Sequence, residues 1–120
     1  MRTTQRKGDI AVSRAIATFT TIGADVSLPL TESASYDLIV DYKNTLSRVQ
    51  VKYTSTNEVD LRSIHSNAKG YVVKKQLINT YDWLYVLHSS GNEYLVLECL
   101  YNRRSINFFD ERFLLSKTFK

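Results

Sequence analysis

Apolar residues at Val12, Ala15, Ile16, Phe19 and Ile22 recur at spacings of three and four, which predicts an amphipathic helix that stops at Gly23. Gly8 and Asp9 stand at its expected start, where the Asp9 carboxylate suits a helix cap. Val26, Leu28 and Leu30 then alternate, predicting a strand over 25–30 in which Pro29 is best tolerated at an edge or a bulge. Stretches 36–42 and 46–54 are rich in Tyr, Leu, Ile and Val, and Lys43, Asn44 and Thr45 separate them as a hairpin turn. On the second arm Arg48, Gln50 and Lys52 share one face, and Val49, Val51 and Tyr53 share the other.

Periodicity fades over 55–70, which reads as a polar loop, and 74–80 is compatible with a short helix. A second hairpin is expected from 83–87 and 93–100, with Ser89, Ser90, Gly91 and Asn92 at its turn. A strand over 106–109 and a short amphipathic helix over 110–116, capped by Asp110, complete the pattern. A helix followed by a predominantly antiparallel sheet points to an α/β or α+β layer fold. With 120 residues and no repeat or linker, the chain is expected to form a single domain over 1–120.

Composition narrows the class. Hydrophobic residues at 43% and charged residues at 23% exclude a wholly disordered chain. Cys99 is the single cysteine, so no internal disulfide is available, and no apolar run is long enough to span a bilayer. A soluble, cytoplasmic protein is therefore expected, with no membrane partner.

The net charge of +4 is unevenly placed. Basic segments at 1–14, 62–75 and 101–120 carry +3, +4 and +3, and acidic stretches at 25–60 and 76–100 carry −3 each. Ordinary solvated charge explains such alternation, and so does contact with a polyanion.

Candidate chemistry gathers on the first hairpin. A turn between the arms brings Asp37 beside Gln50 near one end of the sheet, with Lys52 two residues on. Carboxylate, amide and ammonium in that arrangement suit a divalent cation and a phosphate, and they equally suit an exposed cross-strand pair. His65 and His88 lack neighbouring ligands and read as solvated histidines, while Cys99 reads as a buried thiol. No Walker or dinucleotide glycine pattern is present.

The ordered set Lys7-Gly8-Asp9-Ile10, Gly23-Ala24-Asp25-Val26, Leu28-Pro29-Leu30, Tyr36-Asp37-Leu38-Ile39-Val40 and Arg48-Val49-Gln50-Val51-Lys52-Tyr53-Thr54 resembles the PD-(D/E)XK nuclease superfamily. Within it the chain is most similar to the QxK branch, which includes intron-encoded homing endonucleases, with archaeal-type Holliday-junction resolvases more distant. The resemblance covers about residues 5–54 well and continues loosely through 81–86 and 94–97. It implies an α/β, restriction-endonuclease-like core with a mixed central sheet, an N-terminal helix and short flanking helices. It also implies a catalytic set of Asp37, Gln50 and Lys52, in which Asp37, Gln50 and the Val51 carbonyl hold Mg²⁺ or Mn²⁺ and Lys52 meets the scissile phosphate and the attacking water. Double-stranded DNA is then the expected substrate, cut to leave a 5′ phosphate.

One position departs from that pattern. The family usually places a glutamate on the first helix, and Val12 stands there. Asp9, one helical turn earlier, is a weak candidate to replace it, and Asp41 lies about 13 Å along the strand from Asp37. Impaired cleavage is the expectation, with an inert DNA-binding module on the same fold and a junction resolvase as alternatives. Lys69, Lys74, Lys75, Arg103 and Arg104, interleaved with Tyr71 and Tyr101, are the expected DNA contacts. One small domain with one site cuts two strands only as an assembly, so a homo-oligomer, dimer or tetramer, is expected.

Overall fold

The computed structural model describes residues 4–61, 63–67, 70–74, 80–100, 105–107, 114 and 115. The predicted helix is present as α1 (Thr4–Thr21) and begins earlier than its apolar pattern suggests. Asp9 consequently lies exposed within the helix and caps nothing, which corrects the expectation for it. The buried stripe runs through Ala11, Ala15 and Phe19, with Val12, Ile16 and Ile22 half-buried beside it. Two alanines let the helix backbone approach the sheet closely, and that places the stripe off the larger β-branched residues. The helix ends as expected. Gly23 has a φ of 96°, its N–H donates to Thr20 O at 3.0 Å, and Ala24 N–H donates to Phe19 O at 3.0 Å, the Schellman closure.

Among the described residues nine strands follow: β1 (Asp25–Ser27), β2 (Leu38–Tyr42), β3 (Thr45–Thr54), β4 (Glu58–Asp60), β5 (Ser63–Asn67), β6 (Gly70–Lys74), β7 (Trp83–His88), β8 (Glu93–Val96) and β9 (Ser105–Asn107). The main sheet has the order β1-β2-β3-β7-β8. Three of its four neighbouring pairs are antiparallel, and β3 runs parallel to β7, so the sheet is mixed and the fold is α/β. The first hairpin is tighter than its three-residue separation predicts. Tyr42 pairs with Thr45, leaving Lys43 and Asn44 at φ 50° and 66°, a two-residue turn with both centres left-handed.

Two expectations along the middle of the chain are corrected. Segment 55–70 is no loop: it contains β4, β5 and the start of β6, with β5 and β6 forming their own two-stranded sheet and β4 pairing with β9. Strands of three to five residues, one of them (β4) paired to a distant partner, leave too little local periodicity to register in sequence. Lys74, placed in a possible helix, ends β6, while 75–79 lie outside the described residues. β1 stops at Ser27 and β8 at Val96, both shorter than expected, and the 110–116 helix falls outside the described residues apart from Leu114 and Leu115. Leu114 bridges to Tyr94.

Alternation along the strands gives the sheet two apolar faces of unequal extent. One face carries Val40, Val49, Val51, Tyr85, Leu87 and Leu95 beneath α1, with the Phe19 ring centroid 6.0 Å from Tyr85 and 6.1 Å from Trp83. The other face carries Leu84, Val86, Tyr94 and Val96, covered by Val59, Leu61, Tyr81 and Leu100. That second core covers only the β7–β8 end of the sheet. On the same face of β3 stand Arg48, Gln50 and Lys52, all half-buried. The site residues thus border an apolar core on one side and the shorter strands β1 and β2 on the other.

Candidate active site

Main-chain bonding along β3 alternates between its two neighbours. Arg48 O accepts from Asp82 N–H and Thr54 O accepts from Ser89 N–H, so even-numbered residues face β7; Val49 O accepts from Asp37 N–H and faces β2. Pairing with β2 begins at Leu38 opposite Val49. Val51 therefore projects its N–H past the end of β2, where a partly buried donor needs an acceptor. Asp37 supplies it, with Oδ2 accepting Val51 N–H at 2.8 Å. Val51 is otherwise a core residue, and its carbonyl leaves the strand from the same edge as its N–H, toward Asp37.

Gln50 completes the cluster by donating from Nε2 to the same Asp37 Oδ2 at 3.2 Å. Lys52 stands on the same face two residues further along. Burial pushes the Asp37 carboxyl above its ordinary 3.8, against the opposing pull of the Val51 N–H and the Lys52 charge. Burial likewise pushes the Lys52 ammonium below its ordinary 10.5, while Asp37 and Asp60 pull it back up. Two opposite charges thus occupy a desolvated corner, each made costlier by burial and each supported by the other. Sites with such paired perturbations are where chemistry is usually found.

Asp60, whose charge acts on Lys52 from outside the cluster, is a residue that sequence reasoning did not reach. It ends β4, which is tied to the end of β3 by the Thr54 hydroxyl donating to Glu58 O at 2.8 Å. The available signal was the alternation of acids at 58 and 60 with Val59 and Leu61, a short strand with one buried face. The supporting frame was also missed. Asp82 holds Arg48 through three bonds, accepting its main-chain N–H at 2.7 Å and two guanidinium N–H groups at 3.2 Å, which anchors β7 beside β3. Arg48, although on the face of Gln50 and Lys52, is thereby engaged away from them.

The other expected residues are placed as follows. Val12 is half-buried and packs against the apolar cluster under α1, while Asp9 is exposed. Lys7 carries its ammonium 5.9 Å from the Tyr53 ring centroid, near the end of β3. Lys69, Lys75, Arg103 and Arg104 lie outside the described residues, and Lys74 is described as the end of β6. Cys99 is half-buried beside the Thr80 hydroxyl, less enclosed than expected. No group of three His, Cys, Asp or Glu forms a ligand cluster among the described residues. No helix among them is long and apolar enough to cross a membrane.

Residues 2–103 match the PD-(D/E)XK endonuclease family, and the chain belongs to that family. A solved structure described as a bacterial homing endonuclease, I-Ssp6803I, superposes with a TM-score of 0.76 at 27% identity, over 91% of this chain and 80% of that one. Among curated proteins no relative matches in sequence. The mixed sheet with its N-terminal helix is accordingly a restriction-endonuclease-like core, and family and neighbour together define a nuclease.

Nucleases of this family generally use divalent metal ions. The donor set fits such an ion: Asp37 Oδ1 accepts no hydrogen bond among the described residues, and the Val51 carbonyl leaves the strand on the same side. A small hard cation needs only one or two protein carboxylates when substrate phosphate and water supply its other ligands.

Proposed function

We propose that this chain is a divalent-cation-dependent endonuclease acting on double-stranded DNA, homing-endonuclease-like, with Asp37, Gln50 and Lys52 as its catalytic set. The observation that supports this most is the Asp37 carboxylate fixed at the open edge of β3 by the Val51 N–H, with Gln50 and Lys52 on the adjoining face. Asp37 and the Val51 carbonyl would hold Mg²⁺ or Mn²⁺, and Gln50 would offer its amide oxygen. When bound, the cation supplies positive charge to the scissile phosphate and to the attacking water.

Lys52 neutralises charge growing on a non-bridging phosphate oxygen and orients the water in line with the leaving group. Its partial burial strengthens that contact, because water screens it less. Attack by the water oxygen at phosphorus breaks the P–O3′ bond; the 3′ oxygen leaves with a proton, and the phosphate stays on the 5′ end. Lys69, Lys74, Lys75, Arg103 and Arg104 grip the backbone and position the duplex. Two strands are cut by two copies, so the working enzyme is a homo-oligomer.

Val12 weakens cleavage, because its side chain neither binds a cation nor orients water. That observation also favours a second reading, a DNA-binding module that retains the nuclease fold and has lost its reaction. A cleavage assay run beside Ca²⁺ titration separates them. Mg²⁺-dependent cutting that Asp37→Asn abolishes supports the enzyme, and duplex binding with neither cutting nor cation uptake supports the module.

A further inference from the structure

We propose that the Gln50 amide holds Asp37 in its working position while no cation is bound, so that the site is assembled before the ion arrives. The inference rests on the cation-dependent reading above. Asp37 Oδ2 receives two donors, the Val51 N–H at 2.8 Å and the Gln50 Nε2 at 3.2 Å. The first fixes the carboxylate to the strand edge, and the second fixes its direction across the face. An amide offers both a donor and an acceptor end, whereas a carboxylate offers acceptors alone.

In the slot where the family name allows an acid, glutamate would set an acceptor against Asp37 Oδ2 at the same separation. Such a pair is relieved only by a cation or proton between the two oxygens. Glutamine avoids this, because its terminal torsion is soft and the side chain can present nitrogen to Asp37 in one state and oxygen to a cation in the other. A neutral residue in the acidic slot thus gives up charge toward the ion and gains a site that is ordered without it.

Thermal unfolding of Gln50→Glu and the unaltered protein in EDTA, then in Mg²⁺, tests this. The Gln50→Glu midpoint should fall by roughly 4 °C or more in EDTA and recover with Mg²⁺, while the unaltered protein moves little. A fall without recovery keeps the role of Gln50 and overturns the cation reading; an unchanged midpoint in EDTA overturns the role of Gln50 whatever Mg²⁺ does. Should Gln50→Glu not fold, Gln50→Met removes the donor without adding charge. Amide exchange at Val51 should then quicken by about tenfold, as expected for a loosened hydrogen bond, and unchanged exchange would overturn the proposal.

Discussion

Asp37 accepts the Val51 main-chain N–H at 2.8 Å, one step beyond the last β2–β3 pair, Leu38 with Val49. The carboxylate thus continues the ladder after the strand that carried it has ended. A side chain bonded to backbone is positioned more firmly than one held by another flexible side chain, and this one stands where Gln50 and Lys52 emerge on the next strand.

Holding that carboxylate has a cost that pH exposes. Asp37 has a folded pKa raised above 3.8, mainly by burial, so its favourable contribution is present below 3.8 and is lost as pH rises through the folded value. Asp37→Asn keeps an acceptor for the Val51 N–H and carries no charge. It is expected to be more stable than the unaltered protein at neutral pH, with the difference closing as pH falls toward 3.8. Urea unfolding across that range measures it, and a less stable Asn variant at neutral pH would show that the attraction to Lys52 outweighs burial.

Lys52 shows the opposite linkage. Its lowered folded pKa contributes stability present above 10.5 and lost as pH falls through the folded value, so the charged amine is a burden at neutral pH. Lys52→Met is expected to fold at least as well while cleavage drops by about 100-fold or more. Cleavage and duplex affinity, measured on one preparation, should separate: affinity is expected to change little.

Glu93 bears on the fold instead of the chemistry. It accepts the Thr18 hydroxyl at 2.5 Å and the Tyr85 hydroxyl at 2.6 Å, and its other oxygen lies 3.5 Å from Arg14 Nη2, joining α1 to β7 and β8. Burial and the Glu93 carboxylate together push the Tyr85 phenol well above its ordinary range. Glu93→Ala strands two hydroxyls and is expected to cost about 2–3 kcal/mol, with Glu93→Gln recovering much of it. Denaturant midpoints for the two variants check this.

Lysines at the end of β6 and just after it should read the phosphate backbone. Replacing Lys74 and Lys75 together with alanine is expected to weaken duplex binding across sequences and to lower the salt slope by about one per lysine. An unchanged slope in a fluorescence titration removes them from the interface.

Much of the fold was legible because α1, β2, β3 and β7 have strong periodic patterns, and Asp37, Gln50 and Lys52 lie on two of those strands. Spacing along the hairpin put Asp37 next to Gln50, and their side chains do meet. The bond from Val51 was not legible, since it depends on where β2 stops, a boundary set by pairing and not by residue type. Asp60, Asp82 and Glu93 act through partners 34 to 75 residues away or across strands too short to show a period. The Asp9 cap failed for a simpler reason: Thr4 to Lys7 are compatible with helix yet contribute no buried face, so the apolar pattern begins after the helix does.

Val12→Glu is the most direct measurement of the central proposal, that Asp37, Gln50 and Lys52 form a nuclease site weakened at Val12. The variant and the unaltered protein are incubated with a duplex DNA library in Mg²⁺, and the ends are sequenced. Expected is stronger cleavage by Val12→Glu, with 5′ phosphate ends, that disappears when Asp37→Asn or Lys52→Met is added. Cleavage that survives both additions would place the chemistry elsewhere and contradict the assignment.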